Sequence, residues 1–169
     1  MIHNIHERVI AAPADRLGPL LDGLGRPGDR LWPSERWDPM VLDRPVQVGA
    51  DGGHGAIRYV VSEHEPGRRV RFTFCQATGI EGFHELSITE LDAGRCRVRH
   101  VLHGRPTGRM RLLFRPVVEP LHDAVVEDLL DNAERVSTGT VSRPGRRTWR
   151  ARLWSRLVER PRGGGNTRG

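Results

Sequence analysis

The sequence predicts an α+β domain in which a curved antiparallel β-sheet is closed over by one long C-terminal α-helix, with a short helical segment after strand 1. Three observations carry this. Between residues 40 and 103, short runs alternate apolar with polar side chains, and Pro66-Gly67 and Asp92-Ala93-Gly94 supply turns between them; this is the pattern of an antiparallel meander. After Gly104-Arg105-Pro106 the period lengthens, and Met110, Leu113/Phe114, Val117, Leu121, Val125 and Leu129 recur at three- and four-residue steps, as the apolar stripe of a helix does. Such a sheet has one face that must be covered, and this helix is the only element large enough to cover it. A bent sheet cannot touch a straight rod everywhere, so a cavity between the two is expected.

The elements follow in order. Residues 3–12 alternate as a first strand, and Pro13 opens a helix with Leu17, Leu20, Leu21 and Leu24 on one stripe. The stretch DRLWPSERWDP, with two prolines and two tryptophans, reads as an irregular loop. A strand over 40–48 is interrupted by Pro45, which places it near an edge. Strands over 56–65, 69–75, 82–91 and 95–103 complete a sheet of five or so. The helix runs from 110 to about 136, with a kink or a fresh start expected at Pro116, because proline removes a donor and crowds the preceding turn.

Composition sets the class. The 169-residue chain has room for one domain over residues 1–136 and a tail over 137–169. No apolar run is long enough to span a bilayer, and MIHNIHERVIAAP lacks the uninterrupted apolar stretch of a secretory signal, so a cytoplasmic location is expected. All 27 basic residues are arginine, and nine of them fall in the tail beside a single acid, Glu159. The net charge of +6 therefore belongs to the tail, not to the body. Cys75 and Cys96 lack metal-type spacing and are read as free thiols. Asp51-Gly52-Gly53-His54-Gly55 resembles a phosphate cradle only superficially. A strand pattern follows it where a cradle needs a helix N-terminus, so it is read as a turn or bulge at the sheet rim.

The stretches HERVIAAPADRLGPLL, WDPMVLDRP, GAIRYVVSEHEPGRRVRFTF and PLHDAVVEDLLDNAE together resemble the START-like, helix-grip superfamily (SRPBCC, polyketide cyclase/dehydrase-like), to which the birch-pollen allergen type belongs. The likeness spans roughly residues 3–136. It implies a helix-grip fold and binding of lipids, hormones or polyketides, with cyclisation or dehydration in a minority of members.

The pocket wall follows from strand alternation. Val70, Phe72 and Phe74 share a face, as do His84, Leu86 and Ile88, and Cys96, Val98, His100 and Leu102, while arginines mark the opposite face. Tyr59, His84 and His100 are thus expected as the polar groups of an apolar cavity, orienting a hydrophobic ligand. A histidine of near-neutral pKa would also suit the proton transfers of an aromatase/cyclase or dehydratase, the alternative reading. Leu86, Met110 and Phe114 are expected to complete the lining, and the likeness puts Trp32 and Trp37 near its mouth.

No cofactor is implied and no metal site is read. His3/His6 and His100/His103 are three apart on strands and point to opposite faces. Glu119-Pro-Leu-His122 lacks the second copy that a di-iron bundle needs. Glu119, His122, Asp123, Glu127 and Asp131 are read as a solvated helix face. In the tail, Trp149, Leu153, Trp154 and Leu157 share a helical face ringed by arginines, so residues 143–162 suit an anionic membrane surface. Disorder or docking on the body outranks that reading, and nucleic acid comes last. The expected activity is binding of a hydrophobic small molecule, with a membrane-recruited module as a further alternative.

Overall fold

A computed structural model describes residues 1–145. The greater part of the 143–162 stretch proposed for membranes lies outside the described residues. Seven antiparallel strands form one sheet in the order β1-β7-β6-β5-β4-β3-β2. They are β1 (Ile2–Ile10), β2 (Val41–Leu42), β3 (Asp51–His54), β4 (Ile57–Glu65), β5 (Arg69–Phe74), β6 (Ile80–Asp92) and β7 (Arg95–Pro106). Helix α1 (Ala14–Asp22) follows β1, and a C-terminal helical rod lies across the sheet. Among the described residues no helix is long and apolar enough to cross a membrane.

The α+β prediction holds, and two of its details change. The strand expected over 40–48 is reduced to Val41–Leu42, because Pro45 has no N–H for a ladder. The glycine run is not a turn at the rim but a strand, β3, paired to β2 on one side and β4 on the other. Its glycines are there for closeness: a Cβ on Gly52 would stand 2.1 Å from the Val41 carbonyl oxygen, and one on Gly53 2.0 Å from that of Ile57. Only Gly55, at φ +52°, makes the turn into β4.

Breaks in register between Val61 and Glu63, and between Glu90 and Asp92, mark bulges that bend the sheet. Helix α1 crosses the β4–β5 turn at Gly18, where a Cβ would come within 3.0 Å of the Gly67 Cα. Asp22 at its end accepts the Gly67 amide at 2.9 Å and lies 3.0 Å from His64 Nε2.

The C-terminal rod is discontinuous where proline predicts it to be. A short α-helical turn, α2 (Met110–Leu113), passes into a π-helical turn, Phe114–Val118, and then into α3 (Glu119–Thr138). Pro116 sits within the π turn, where wider winding accommodates its ring, and Pro120 lies in the first turn of α3, directly after that turn. The large core cluster joins α1, α3 and the inner sheet face, including Leu17, Leu21, Val61, Val98 and Leu130. A smaller one gathers Ile2, Ile80, Leu102 and Phe114, with Met110 packed against it.

Candidate functional site

Cross-strand register places the wall. Phe72 of β5 pairs with His84 of β6, and His84 pairs with Leu102 of β7. One row over, Val70, Leu86, His100 and His6 stand opposite one another across β5, β6, β7 and β1. Directly paired residues project to the same face, so one side of the sheet presents Phe72, His84, Leu86, His100 and Leu102 together.

Between this wall and the C-terminal rod lies a cavity of about 370 Å³. Eight of the ten residues expected there line it: Phe72, Phe74, His84, Leu86 and His100 from the sheet, and Phe114, Trp32 and Trp37 from the cover. Tyr59 and Met110 do not. Tyr59 faces inward and is fully buried, but it lies behind the lining, with its hydroxyl 3.1 Å from His54 Nδ1 and its ring 4.8 Å from that of His84. Met110 packs instead against the smaller cluster, because the short α2 turn precedes the stretch that covers the cavity.

Two lining histidines escaped the sequence reading. His54 comes from the glycine strand, where no alternation was visible, and its ring stands 4.6 Å from that of Trp32. His122 comes from α3, where it was read as part of a solvated face. A signal existed: His122 precedes Val125 by three residues and Leu129 by seven, which puts it on their stripe. Val118, Leu121 and Val125 line the cavity from the same side.

The cover is tied down by polar bonds. Trp37 Nε1 donates to Asp128 Oδ2 on α3 at 2.9 Å, and Trp32 Nε1 donates to the Asp38 carbonyl at 2.9 Å. Asp29 Oδ1 accepts the amides of Leu31 and Trp32, which folds this loop locally.

Four imidazoles, His54, His84, His100 and His122, and the acidic Asp38 are the titratable groups of the lining. The His84 ring stacks on Phe72 at 4.8 Å and approaches His100 at 5.6 Å, and His100 approaches His122 at 5.0 Å. His84 Nε2, His100 Nδ1 and both nitrogens of His122 are buried without a hydrogen-bond partner among the described residues. Burial holds all three below the ordinary imidazole pKa, His84 and His100 far below it. Burial, with a smaller push from His122, lowers His54 to about 4. The Tyr59 phenol is driven upward by burial and stays protonated. These groups are neutral at physiological pH.

The solvated-face reading of α3 is overturned. Asn4, His6 and Arg8 of β1 project inward, and Asp123, Glu127 and Asp131 of α3 dock on them, Asp131 mostly buried and Asp123 and Glu127 still partly exposed. His6 Nδ1 lies 2.7 Å from Glu127 Oε1, and His6 Nε2 lies 3.1 Å from Asp123 Oδ1, which also accepts Asn4 Nδ2 at 2.8 Å. Arg8 pairs with Glu127, Asp131 and Glu134. The spacings match: four helical residues rise about 6 Å and two strand residues about 6.6 Å, so an i, i+4 acid stripe meets every second residue of a strand running alongside it. Hydrogen bonds to Asp123 and then Glu127 push His6 up to about 9, against the effect of burial. Burial pushes Asp123 up, but His122, His6 and Asn4 together outweigh it and hold the carboxyl below its usual range.

No known family model matches the chain, and no curated protein does. Solved structures do. A protein from Nitrosospira multiformis superposes with a TM-score of 0.62 at 13% identity, over 81% of this chain and 97% of its own. Norcoclaurine synthase from Thalictrum flavum, solved with dopamine and hydroxybenzaldehyde, gives 0.59 at 12% identity, over 84% and 90%. CalU16 from Micromonospora echinospora gives 0.53 at 18%, over 92% and 87%. The chain has the helix-grip fold. In this helix-grip chain the gripped element is the rod from α2 to α3, and the space it leaves against the sheet is the cavity described above.

Proposed function

We propose that this protein binds a mostly apolar, aromatic-sized small molecule in the cavity and orients it through the unpaired nitrogens of His84, His100 and His122. Those nitrogens are the observation that carries the reading. A buried polar atom without a partner costs about 1–3 kcal/mol, and the fold sustains four on His84, His100 and His122 around one cavity. A ligand bearing hydroxyl or keto groups would satisfy them. The volume suits a small molecule. Norcoclaurine synthase, of the same fold, is solved with two small aromatic molecules, which agrees with a ligand of that size.

Burying about 300 Å² of apolar ligand surface supplies roughly 7 kcal/mol gross. Immobilisation takes back several, so the directed bonds decide whether binding is tight. The strongly lowered pKa of His84 and His100 makes them weak bases, which favours orientation over the proton transfers of a cyclase or dehydratase. A carrier or sensor is the role this supports.

Native mass spectrometry of freshly expressed protein should reveal a co-purified hydrophobic compound, and its release should change the fluorescence of Trp32 and Trp37. His84→Phe, which keeps the stacking on Phe72, and His100→Leu should each weaken rebinding about 2- to 10-fold. Unchanged affinity in both variants would remove the histidines from the reading. Turnover of the compound by the wild-type chain, lost in both, would put the enzyme ahead of the carrier.

A further inference from the structure

The seam between β1 and α3 brings three potential metal ligands to one point. His6, His122 and Asp123 each offer one donor atom, and all three atoms lie within 4.8 Å of one another. Asp123 Oδ1 stands 3.1 Å from His6 Nε2 and 3.7 Å from His122 Nδ1. Two donors bonded to one tetrahedral cation at 2.0–2.1 Å are about 3.3 Å apart, close to both separations. His6 is within hydrogen-bond distance of Asp123, whereas His122 only flanks the same carboxylate oxygen. Both ring nitrogens of His122 are buried and without a hydrogen-bond partner, and its nearest carboxylate oxygen lies beyond hydrogen-bond reach.

The surroundings are those of a supported ligand set. Glu127 Oε1, at 2.7 Å, accepts from His6 Nδ1 and so keeps a proton there, leaving Nε2 to face Asp123. Asn4 Nδ2 holds the Asp123 carboxylate at 2.8 Å. A carboxylate behind a metal-bound imidazole fixes its tautomer and raises its basicity.

We propose that His6, His122 and Asp123 form a binding site for a single divalent transition-metal cation. Two imidazoles and one carboxylate suit Zn²⁺, Fe²⁺, Co²⁺ or Ni²⁺ and disfavour Mg²⁺ and Ca²⁺, which take oxygen donors. When the cation binds, the Nε2 proton of His6 leaves to solvent. Three protein ligands leave at least one coordination position open. Because His122 also lines the cavity, the cation stands beside whatever the cavity holds, yet the site does not depend on what that is.

The test is titration of the full, chelator-stripped chain with Zn²⁺ by calorimetry and with Co²⁺ by visible absorption. One equivalent should bind with a Kd of about 1 μM or tighter. His6→Gln and Asp123→Asn should each weaken binding at least about tenfold, and Glu127→Gln, which removes no ligand, by about 10- to 100-fold. His103→Gln, at the separate His3–His103 pair, should leave the isotherm unchanged. In the wild-type chain, substoichiometric Co²⁺ should broaden the ring resonances of His6 and His122 first, a readout that no misfolded variant can obscure. Binding no tighter than about 1 mM, an isotherm that His6→Gln and Asp123→Asn leave intact, or broadening that begins at His3 and His103 would each overturn the site.

Discussion

At the scale of single residues, the histidines carry the site, and their titration is a property of the fold that can be read out. His54 has an ordinary pKa of 6.5 in an unfolded chain and about 4 in the folded one. Between these values the unfolded chain binds more protons than the native one, so stability rises with pH through the window. The contribution is complete above about 6.5 and is lost as pH falls toward 4. At about 1.4 kcal/mol per pKa unit, His54 alone removes about 3 kcal/mol by the lower limit. His84 and His100, lowered in the same direction by burial, add to the slope. Urea denaturation across this range should show the midpoint falling steeply with acid, and less steeply in a His54→Phe variant. A flat profile would mean that these rings are hydrated. His84 and His100 were visible in the sequence because they sit on strands whose alternating polar side chains, Glu85, Ser87 and Thr89 on one and Arg95, Arg97 and Arg99 on the other, name the outer face. His54 was not, because a strand that needs glycine for close approach shows no alternation.

At the scale of elements, the seam of β1 and α3 is the packing feature that period counting missed. A helix pattern reports which side chains share a face, not what that face meets. Asp123, Glu127 and Asp131 look solvated until β1, more than a hundred residues earlier, supplies Asn4, His6 and Arg8 at alternate positions. Arg8 is 13% exposed and its partners Asp131 and Glu134 are 12% and 8% exposed. Removing one member of such a cluster strands the rest, so Arg8→Ala should destabilise the chain by about 3–5 kcal/mol, measured as a loss of unfolding free energy in urea. A cost below about 1 kcal/mol would mean that the acids find water readily. The glycine strand carries its own expectation. Gly53→Ala drives a methyl group into the Ile57 carbonyl and should cost about 1–3 kcal/mol or more. Gly94→Ala, whose nearest neighbour would be 3.8 Å away, should stay within about 0.5 kcal/mol.

At the scale of the whole molecule, the layered architecture was legible because it follows from two periodicities and one demand, that the apolar face of a sheet be covered. The proline break in the rod was legible for an equally local reason. The cavity was legible only as a consequence of curvature, and its lining only in part. Met110 was misplaced because the boundary between α2 and the π turn is set by tertiary packing, and Tyr59 because facing inward does not distinguish the lining from the layer behind it. Native interiors are packed as densely as organic crystals, so a space of about 370 Å³ represents contacts forgone. If it is kept for a ligand, filling it should raise stability and remove binding together. Val125 lines the cavity from α3 and is 8% exposed, so Val125→Phe can extend its ring into the space without displacing backbone. The variant is expected to gain about 0.5–2 kcal/mol of unfolding free energy and to lose fluorescence enhancement of a hydrophobic dye such as anilinonaphthalene sulfonate. Loss of stability with dye binding retained would show that the apparent space is taken up by side-chain motion, and the small-molecule reading would fall with it.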